Sequence, residues 1–178
     1  MLLFYKTHLF RYVLAISAVF AMYAFTPGGE GTTAKPKIDL KTAPDSIKLD
    51  TLIKRAYSVM GTPYKWAGAT PQTGFDCSGY VYWCFQPLGI ATGRSASSLY
   101  NMGKKIEMED AQPGDLILFK GTNAKTTGVG HVGMVVSKKG EPLKFVHCSS
   151  SKAHWGVIET VYGGSYYVKR YIGIRRVL

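Results

Sequence analysis

The chain of 178 residues weighs 19.6 kDa, which is the size of one ordinary domain. Hydrophobic residues make up 46% and charged residues 19%, so the composition excludes disorder over most of the chain and allows a substantial core. The 22 Lys and Arg outnumber the 11 Asp and Glu, and the net charge of +11 favours anionic surroundings such as nucleic acid, an acidic polymer or a membrane surface. Three cysteines exclude a disulfide-dense scaffold and a four-thiolate zinc site.

The first 25 residues have the pattern of a secretory signal. Lys6 and Arg11 precede an uncharged apolar run over residues 12–25, with no acidic residue in the segment. As a helix this run would rise ~21 Å, which is short of a ~30 Å hydrocarbon core. The alternative is an uncleaved anchor or a buried helix. We therefore predict a signal peptide at residues 1–25, export to the periplasm or cell envelope, and no stable membrane span after processing.

The remaining residues divide into a leader and one domain. Residues 26–45 hold Gly, Pro, Thr and Lys without apolar periodicity, which predicts a flexible leader, and the domain is predicted at residues 46–178. The predicted helices run from Leu49 to Met60, from Asp76 to Leu88 and from Ser95 to Met102. The predicted strands lie at residues 116–119, 131–136, 143–148 and 166–177. Helices followed by an antiparallel sheet are typical of an α+β fold.

Cys77, His131 and His147 indicate nucleophilic catalysis. If Asp76 caps the second helix, Cys77 lies in its first turn, where unpaired amides and the helix dipole favour a thiolate with a pKa well below the free value of ~8.5. His131 begins a predicted strand and His147 lies on the next one. Antiparallel pairing would bring the two imidazoles together, so that His147 orients His131.

Each of these residues also has a purely structural interpretation, since cysteine is commonly a small buried side chain and histidine is commonly a polar side chain with its hydrogen bonds made. Cys84 would lie ~10 Å from Cys77 on the same helix, too far for a disulfide. Cys148 follows His147 on a strand and points to the opposite face. We therefore predict that Cys84 and Cys148 are core residues. Ligand spacings typical of zinc are missing and the basic pairs are scattered, so we predict no metal, no cofactor and no nucleic-acid partner.

Five motifs occur in an order that resembles a known family. They are Gly61-Thr-Pro-Tyr-Lys-Trp66, Phe75-Asp-Cys-Ser-Gly79, Pro113-Gly-Asp115, Gly130-His-Val-Gly133 and Phe145-Val-His147. Together they resemble the NlpC-type cell-wall peptidases, over residues 47–178. The end of the chain is especially similar to the small single-domain murein endopeptidases of Gram-negative envelopes. Ala67 is a departure, since it stands where the family often has Gly.

The resemblance implies a papain-like fold, in which N-terminal helices pack on an antiparallel β-sheet, and a set of site residues. The implied catalytic residues are Cys77 as nucleophile, His131 as base and His147 as its orienting partner. The implied substrate-binding residues are Tyr64, Asp76 and Ser78.

The expected function is that of an exported, monomeric cysteine endopeptidase that needs no cofactor and hydrolyses stem peptides or cross-bridges of peptidoglycan. Both the bond from γ-D-glutamate to a diamino acid and the bond from D-alanine to a diamino acid are candidates. A catalytically silent wall-binding module is the alternative in another class, and it has no need of Cys77 and both histidines together. An amidase or acyltransferase on the same fold is a third interpretation.

Overall fold

The computed structural model describes residues 38–122 and 127–178. The predicted signal peptide at residues 1–25 and most of the predicted leader lie outside these residues. None of the described helices is both long enough and apolar enough to cross a membrane. Leu40 packs against the core and Ala43 is buried, so packing begins before residue 46, where the sequence predicted the domain to start.

In the described part of the chain, three α-helices precede the main sheet, as the sequence predicted. Helix α1 spans Asp45–Ser58, α2 spans Cys77–Phe85 and α3 spans Ala96–Tyr100. The second and third are shorter than predicted. Pro87 lies in a 3₁₀ turn over Gln86–Leu88, because proline has no amide hydrogen to continue the α-helix. The hydroxyl of Ser95 caps α3 by accepting the Ser98 amide hydrogen at 3.1 Å.

The strands form a short hairpin and a six-stranded antiparallel sheet. The hairpin pairs β1 (Ala69–Thr70) with β2 (Gly74–Phe75). The strands of the large sheet are β3 (Lys104–Ile106), β4 (Leu116–Lys120), β5 (Val129–Val135), β6 (Lys144–Ser151), β7 (His154–Val161) and β8 (Tyr171–Arg176). Their spatial order is β3-β8-β4-β5-β6-β7. The predicted α+β fold is confirmed.

Two of the predicted strands need correction, and β1, β2, β3 and β7 were not predicted. The run predicted over residues 166–177 splits into helix α4 (Ser165–Val168) and β8, because the Gly164 carbonyl accepts the amides of Tyr167 and Val168 in a helical turn. β5 begins at Val129, so His131 is its third residue rather than its first. β7 was not predicted, since its exposed residues and Gly156 interrupt the alternation of apolar and polar positions.

The two faces of the sheet carry separate apolar clusters. Leu116 and Leu118 face the helices, whereas Ile117 and Phe119 face the opposite side, where they pack with Phe145. Residues 116–119 of β4 are therefore buried on both faces, which explains why this part of the strand is continuously apolar.

A buried ion pair joins the turn before β4 to β8. Asp115 is 2% exposed, and its two carboxylate oxygens accept hydrogen bonds from Nε and Nη2 of Arg176, each at 2.8 Å. Asp115 also accepts the amide hydrogen of Gln112 at 2.9 Å. Asp115 of the Pro-Gly-Asp motif thus links two parts of the sheet that are far apart in the sequence.

Candidate active site

Cys77 is the first residue of α2, next to a capped helix start. The carboxylate of Asp76 accepts the amide hydrogen of Gly79 at 2.6 Å, which is the N-cap that the sequence predicted. Cys77 is partly buried, and the backbone amides of Cys77, Ser78 and Val132 near its sulfur favour the thiolate and lower the pKa of the thiol. Because Val132 directly follows His131, the start of α2 meets β5 at this sulfur.

The two imidazoles that the sequence predicted to approach each other are hydrogen-bonded. Nε2 of His131 lies 2.9 Å from Nδ1 of His147, and the rings are nearly perpendicular at 88°. The register pairs Met134 with Val146 across β5 and β6, which places His131 diagonally across from His147. Since this contact occupies Nε2 of His131, Nδ1 is the ring nitrogen that it leaves open to another group.

His147 has further partners that sequence analysis missed. Its Nε2 lies 3.0 Å from Oγ1 of Thr160 and 3.2 Å from Oη of Tyr167. Its ring packs between Phe145 and Tyr167, with centroids 5.0 and 5.6 Å away. Thr160 lies on β7 and Tyr167 on α4, two elements that the apolar pattern does not predict.

An open cavity of about 960 Å³ is lined by two of the three candidate catalytic residues, Cys77 and His131, whereas His147 is buried behind it. Its lining includes Tyr64, Trp66, Cys77, His131, Thr160 and Tyr167. Trp66 is 81% exposed at this cavity, and the Tyr64 ring packs edge-on against Trp155. A cavity of this size accommodates a short peptide and leaves Cys77 accessible to it.

Of the three predicted substrate-binding residues, the cavity lining includes Tyr64 but not Asp76 or Ser78. The Ser78 hydroxyl is buried and lies 2.8 Å from Oδ1 of Asp76 and 2.9 Å from the Arg94 carbonyl. The guanidinium of Arg94 pairs with the Asp76 carboxylate at 3.3 Å and donates to the Ala67 carbonyl at 3.2 Å. These contacts brace the start of α2, and a substrate contact of Asp76 or Ser78 stays a prediction.

The protonation states differ from the sequence-based expectation. Burial raises the pKa of the Cys77 thiol, and the Asp76 carboxylate raises it further, whereas the three amides lower it by less. Burial lowers the pKa of His131 to about 4. The expected low pKa of Cys77 is therefore wrong, because the helix start was visible in the sequence and the burial was not. At neutral pH the resting site holds a neutral thiol and a neutral imidazole.

The other cysteines are core residues, as predicted. Cys84 and Cys148 are buried and unbridged, and burial raises the pKa of each to about 12. The thiol of Cys148 donates to the Phe75 carbonyl at 3.0 Å. Within residues 38–122 and 127–178, no three His, Cys, Asp or Glu side chains cluster as metal ligands.

Residues 61–176 match the NlpC/P60 family. The chain belongs to this family. The matched segment contains all three candidate catalytic residues and the whole of the large sheet. The NlpC/P60 assignment confirms the family to which the sequence motifs pointed.

Two curated relatives of this NlpC/P60 chain are named as a murein endopeptidase and a glutamyl hydrolase. The chain is 34% identical to murein DD-endopeptidase MepH of Escherichia coli, over 67% of this chain and 42% of that protein. It is 33% identical to gamma-DL-glutamyl hydrolase of Bacillus subtilis, over 70% of this chain and 28% of that protein. The matches thus span less than half of the length of each relative.

Solved structures of NlpC/P60 proteins share the fold. A Staphylococcus aureus protein described as similar to a lipoprotein of this family is 32% identical, with a TM-score of 0.64 over 80% of this chain and 45% of that one. A family member from Bacillus cereus is 31% identical, with a TM-score of 0.63 over 73% of this chain and 40% of that one.

Proposed function

We propose that this protein is an exported cysteine endopeptidase that hydrolyses peptide bonds in peptidoglycan stem peptides or cross-bridges. The observation that carries the proposal is the hydrogen-bonded pair of His131 and His147 beside Cys77, at an open cavity. The names of the relatives support the choice of substrate, since one is a murein DD-endopeptidase and another a gamma-DL-glutamyl hydrolase.

The first chemical step begins from neutral groups. Nδ1 of His131 accepts the thiol proton while Sγ of Cys77 attacks the carbonyl carbon of the scissile amide. The carbonyl oxygen becomes an oxyanion, which the amides at the start of α2 and the Tyr64 hydroxyl stabilise. Burial raises the pKa of Tyr64, with smaller contributions from Cys77 and Asp76, so the hydroxyl keeps its proton and is able to donate it in a hydrogen bond.

The second step releases the amine and then the acid. The imidazolium of His131 donates its proton to the leaving nitrogen, the carbon–nitrogen bond breaks, and a thioester remains on Cys77. Water attacks this thioester with His131 as base, which yields the carboxylic acid product and regenerates the thiol.

His147 acts in this scheme as a neutral orienting partner. Burial lowers its pKa to about 2, and the neighbouring His131 and His154 contribute to the shift. A neutral His147 fixes the ring of His131 and accepts its Nε2 proton, so it stabilises the imidazolium through a dipole rather than a full charge. We expect a larger loss of activity on replacing His131 than on replacing His147, because the base itself moves the proton.

Export and monomeric state are parts of the same proposal. Export is supported by the signal-like pattern of residues 1–25. If it is correct, the mature protein recovered from its host begins beyond Phe20. Intact mass or Edman sequencing that finds Met1 on a membrane-bound protein would favour an anchor instead.

Digestion of purified peptidoglycan, followed by mass spectrometry of the muropeptides, tests the activity. We expect new amino and carboxyl ends within stem peptides or cross-bridges, and the mass of the fragments identifies the bond. The Cys77→Ala variant should retain less than about a tenth of the activity, since removal of a nucleophile commonly costs orders of magnitude. Cys84→Ala is the matched control, because it removes a thiol that the cavity lining does not include. Binding of the wall without cleavage would indicate a binding module, and transfer to an added amine would indicate an acyltransferase.

A further inference from the structure

Three elements of the fold converge on one ring nitrogen of His147. Its Nε2 lies within hydrogen-bonding distance of Oγ1 of Thr160, at 3.0 Å, and of Oη of Tyr167, at 3.2 Å. These two residues come from β7 and α4, whereas His147 lies on β6. His147 has 0% exposure, so in the intact site these two hydroxyls, and not bulk water, contact its Nε2.

The position of each proton follows from the role of His131. If Nδ1 of His131 accepts the thiol proton, the ring's own proton is on Nε2, which donates to Nδ1 of His147 at 2.9 Å. A neutral imidazole that accepts at Nδ1 carries its proton on Nε2. That Nε2–H then needs an oxygen acceptor, since a buried N–H without a partner is unfavourable.

The opposite proton arrangement disables the base. If His147 carried its proton on Nδ1, it would donate to Nε2 of His131. Neutral His131 would then hold its own proton on Nδ1, and a nitrogen that already carries a proton does not accept the one from Cys77. The two tautomers of His147 therefore correspond to a competent and an incompetent resting site.

We propose that Thr160, assisted by Tyr167, is a positioning residue that accepts the Nε2 proton of His147 and thereby keeps His131 able to deprotonate Cys77. The hydroxyl oxygen of Thr160 is the nearer of the two to Nε2 of His147. The ring of Tyr167 also packs against the imidazole, with the ring centroids 5.6 Å apart, and this contact fixes the plane of the imidazole. The inference rests on the proposed function for the role of Cys77, whereas the tautomer of His147 is measurable without any substrate.

Two substitutions at position 160 separate the hydroxyl from the shape of the side chain. Thr160→Val keeps the branched shape and loses the hydroxyl, whereas Thr160→Ser keeps the hydroxyl. Adding Tyr167→Phe to Thr160→Val removes both oxygens from Nε2 of His147. Long-range proton–nitrogen NMR spectra of protein labelled with ¹⁵N-histidine report the tautomer, and iodoacetamide labelling at pH 7 reports the reactivity of Cys77.

We expect wild type and Thr160→Ser to show the Nε2–H tautomer of His147. The double variant should shift to the Nδ1–H tautomer and label Cys77 at least about tenfold more slowly at pH 7, with a similar loss in kcat and little change in KM. Thr160→Val alone should have a tautomer population and a Cys77 labelling rate between those of wild type and the double variant, because the Tyr167 oxygen remains. If the double variant does not fold, the inference is tested by comparing the His147 tautomer and the Cys77 labelling rate of Thr160→Val with those of Thr160→Ser.

Three results would overturn the inference. The first is an Nδ1–H tautomer of His147 in wild type. The second is a double variant whose tautomer is unchanged and whose Cys77 labelling rate is within about twofold of wild type. The third is an equal loss of Cys77 labelling in Thr160→Ser and Thr160→Val. A wild-type protein that shows the expected tautomers and labelling but leaves peptidoglycan intact would refute the proposed function while the inference stands.

Discussion

Gly133 and His147 lie so close across neighbouring strands that a Cβ atom at position 133 would be 3.2 Å from the Cβ of His147. The same atom would be 2.6 Å from Cδ2 of Phe145, a fully buried ring. The second glycine of the Gly-His-Val-Gly motif therefore provides the space in which His147 reaches His131.

Gly133→Ala should weaken both the fold and the site. Phe145 or the strand has to move to relieve the overlap, which we expect to cost ~1–3 kcal/mol in the free energy of unfolding. The same movement should lower Cys77 labelling at neutral pH, since it disturbs the contact of His131 with His147. Urea unfolding and iodoacetamide labelling measure the two effects. Gly128→Ala is the control, because no atom of residues 38–122 or 127–178 lies within 4 Å of a Cβ there. Equal losses of stability and labelling in the two variants would contradict the packing argument.

The reactivity of Cys77 should follow the raised pKa of its thiol. We expect iodoacetamide to label Cys77 before Cys84 and Cys148, at a rate that continues to rise with pH beyond the ordinary thiol value of ~8.5. Asp76→Asn keeps an oxygen to cap α2 but removes the charge that helps to raise the pKa, so its labelling profile should move to lower pH. A wild-type rate that is already constant from pH 6 upward would instead indicate a thiolate–imidazolium pair.

The protein should lose stability in mild acid. Burial lowers the pKa of His131 from 6.5 to about 4 and that of His147 to about 2. Between pH 6.5 and about 4 the unfolded chain therefore binds more protons than the folded one, so the free energy of unfolding falls as the pH falls. Each histidine contributes up to about 1.4 kcal/mol per pH unit. Urea titrations across this range measure the slope, and His147→Asn should reduce it by about half; an unchanged slope would refute burial as the cause.

Ala67→Gly should stabilise the protein. Ala67 has a φ of +57°, a left-handed conformation that is unfavourable for a residue with a Cβ atom. Glycine relieves this strain but gives the unfolded chain more freedom, so we expect a net gain of ~1 kcal/mol in the free energy of unfolding. Ala69→Gly on β1 is the matched control, because Ala69 has no positive φ and should lose stability. A denaturant midpoint that is lower for Ala67→Gly than for Ala69→Gly would contradict the assignment of backbone strain to Ala67.

Arg176→Met should be strongly destabilising. It leaves the carboxylate of Asp115 buried without its charged partner, which we expect to cost ~3–5 kcal/mol. Adding Asp115→Asn removes the orphaned charge and should recover part of the loss, a recovery that thermal and urea unfolding would both detect. No recovery in the double variant would show that Arg176 acts through packing alone.

The parts of the fold that local signals determine were predictable from the sequence. The start of α2 at Cys77 follows from a capping aspartate, and the approach of His131 to His147 follows from two neighbouring strands in an antiparallel sheet. The first feature depends on residues that are close in sequence, and the second on two consecutive antiparallel strands. Hydrophobic periodicity and motif spacing predict both kinds of feature well.

The rest of the site depends on long-range packing. Thr160 reaches His147 only because β7 pairs with β6, and Tyr167 only because a short helix replaces a predicted strand. The raised pKa of Cys77 follows from how deeply the thiol is enclosed, which no local pattern reports. Sequence motifs thus indicated the reacting groups but not their surroundings or their charge.

The position of β8 has a consequence for when the domain is able to form. β8 is the last of the described strands in sequence, yet it lies between β3 and β4, and its Arg176 neutralises the carboxylate of Asp115. A growing chain that stops short of residue 176 has an unpaired edge on β4 and a charge that is unfavourable to bury. Folding during synthesis is therefore disfavoured until the whole domain has left the ribosome. For a protein that we propose to be exported, this delay would keep the chain unfolded, which is the state that passes through a narrow secretion channel.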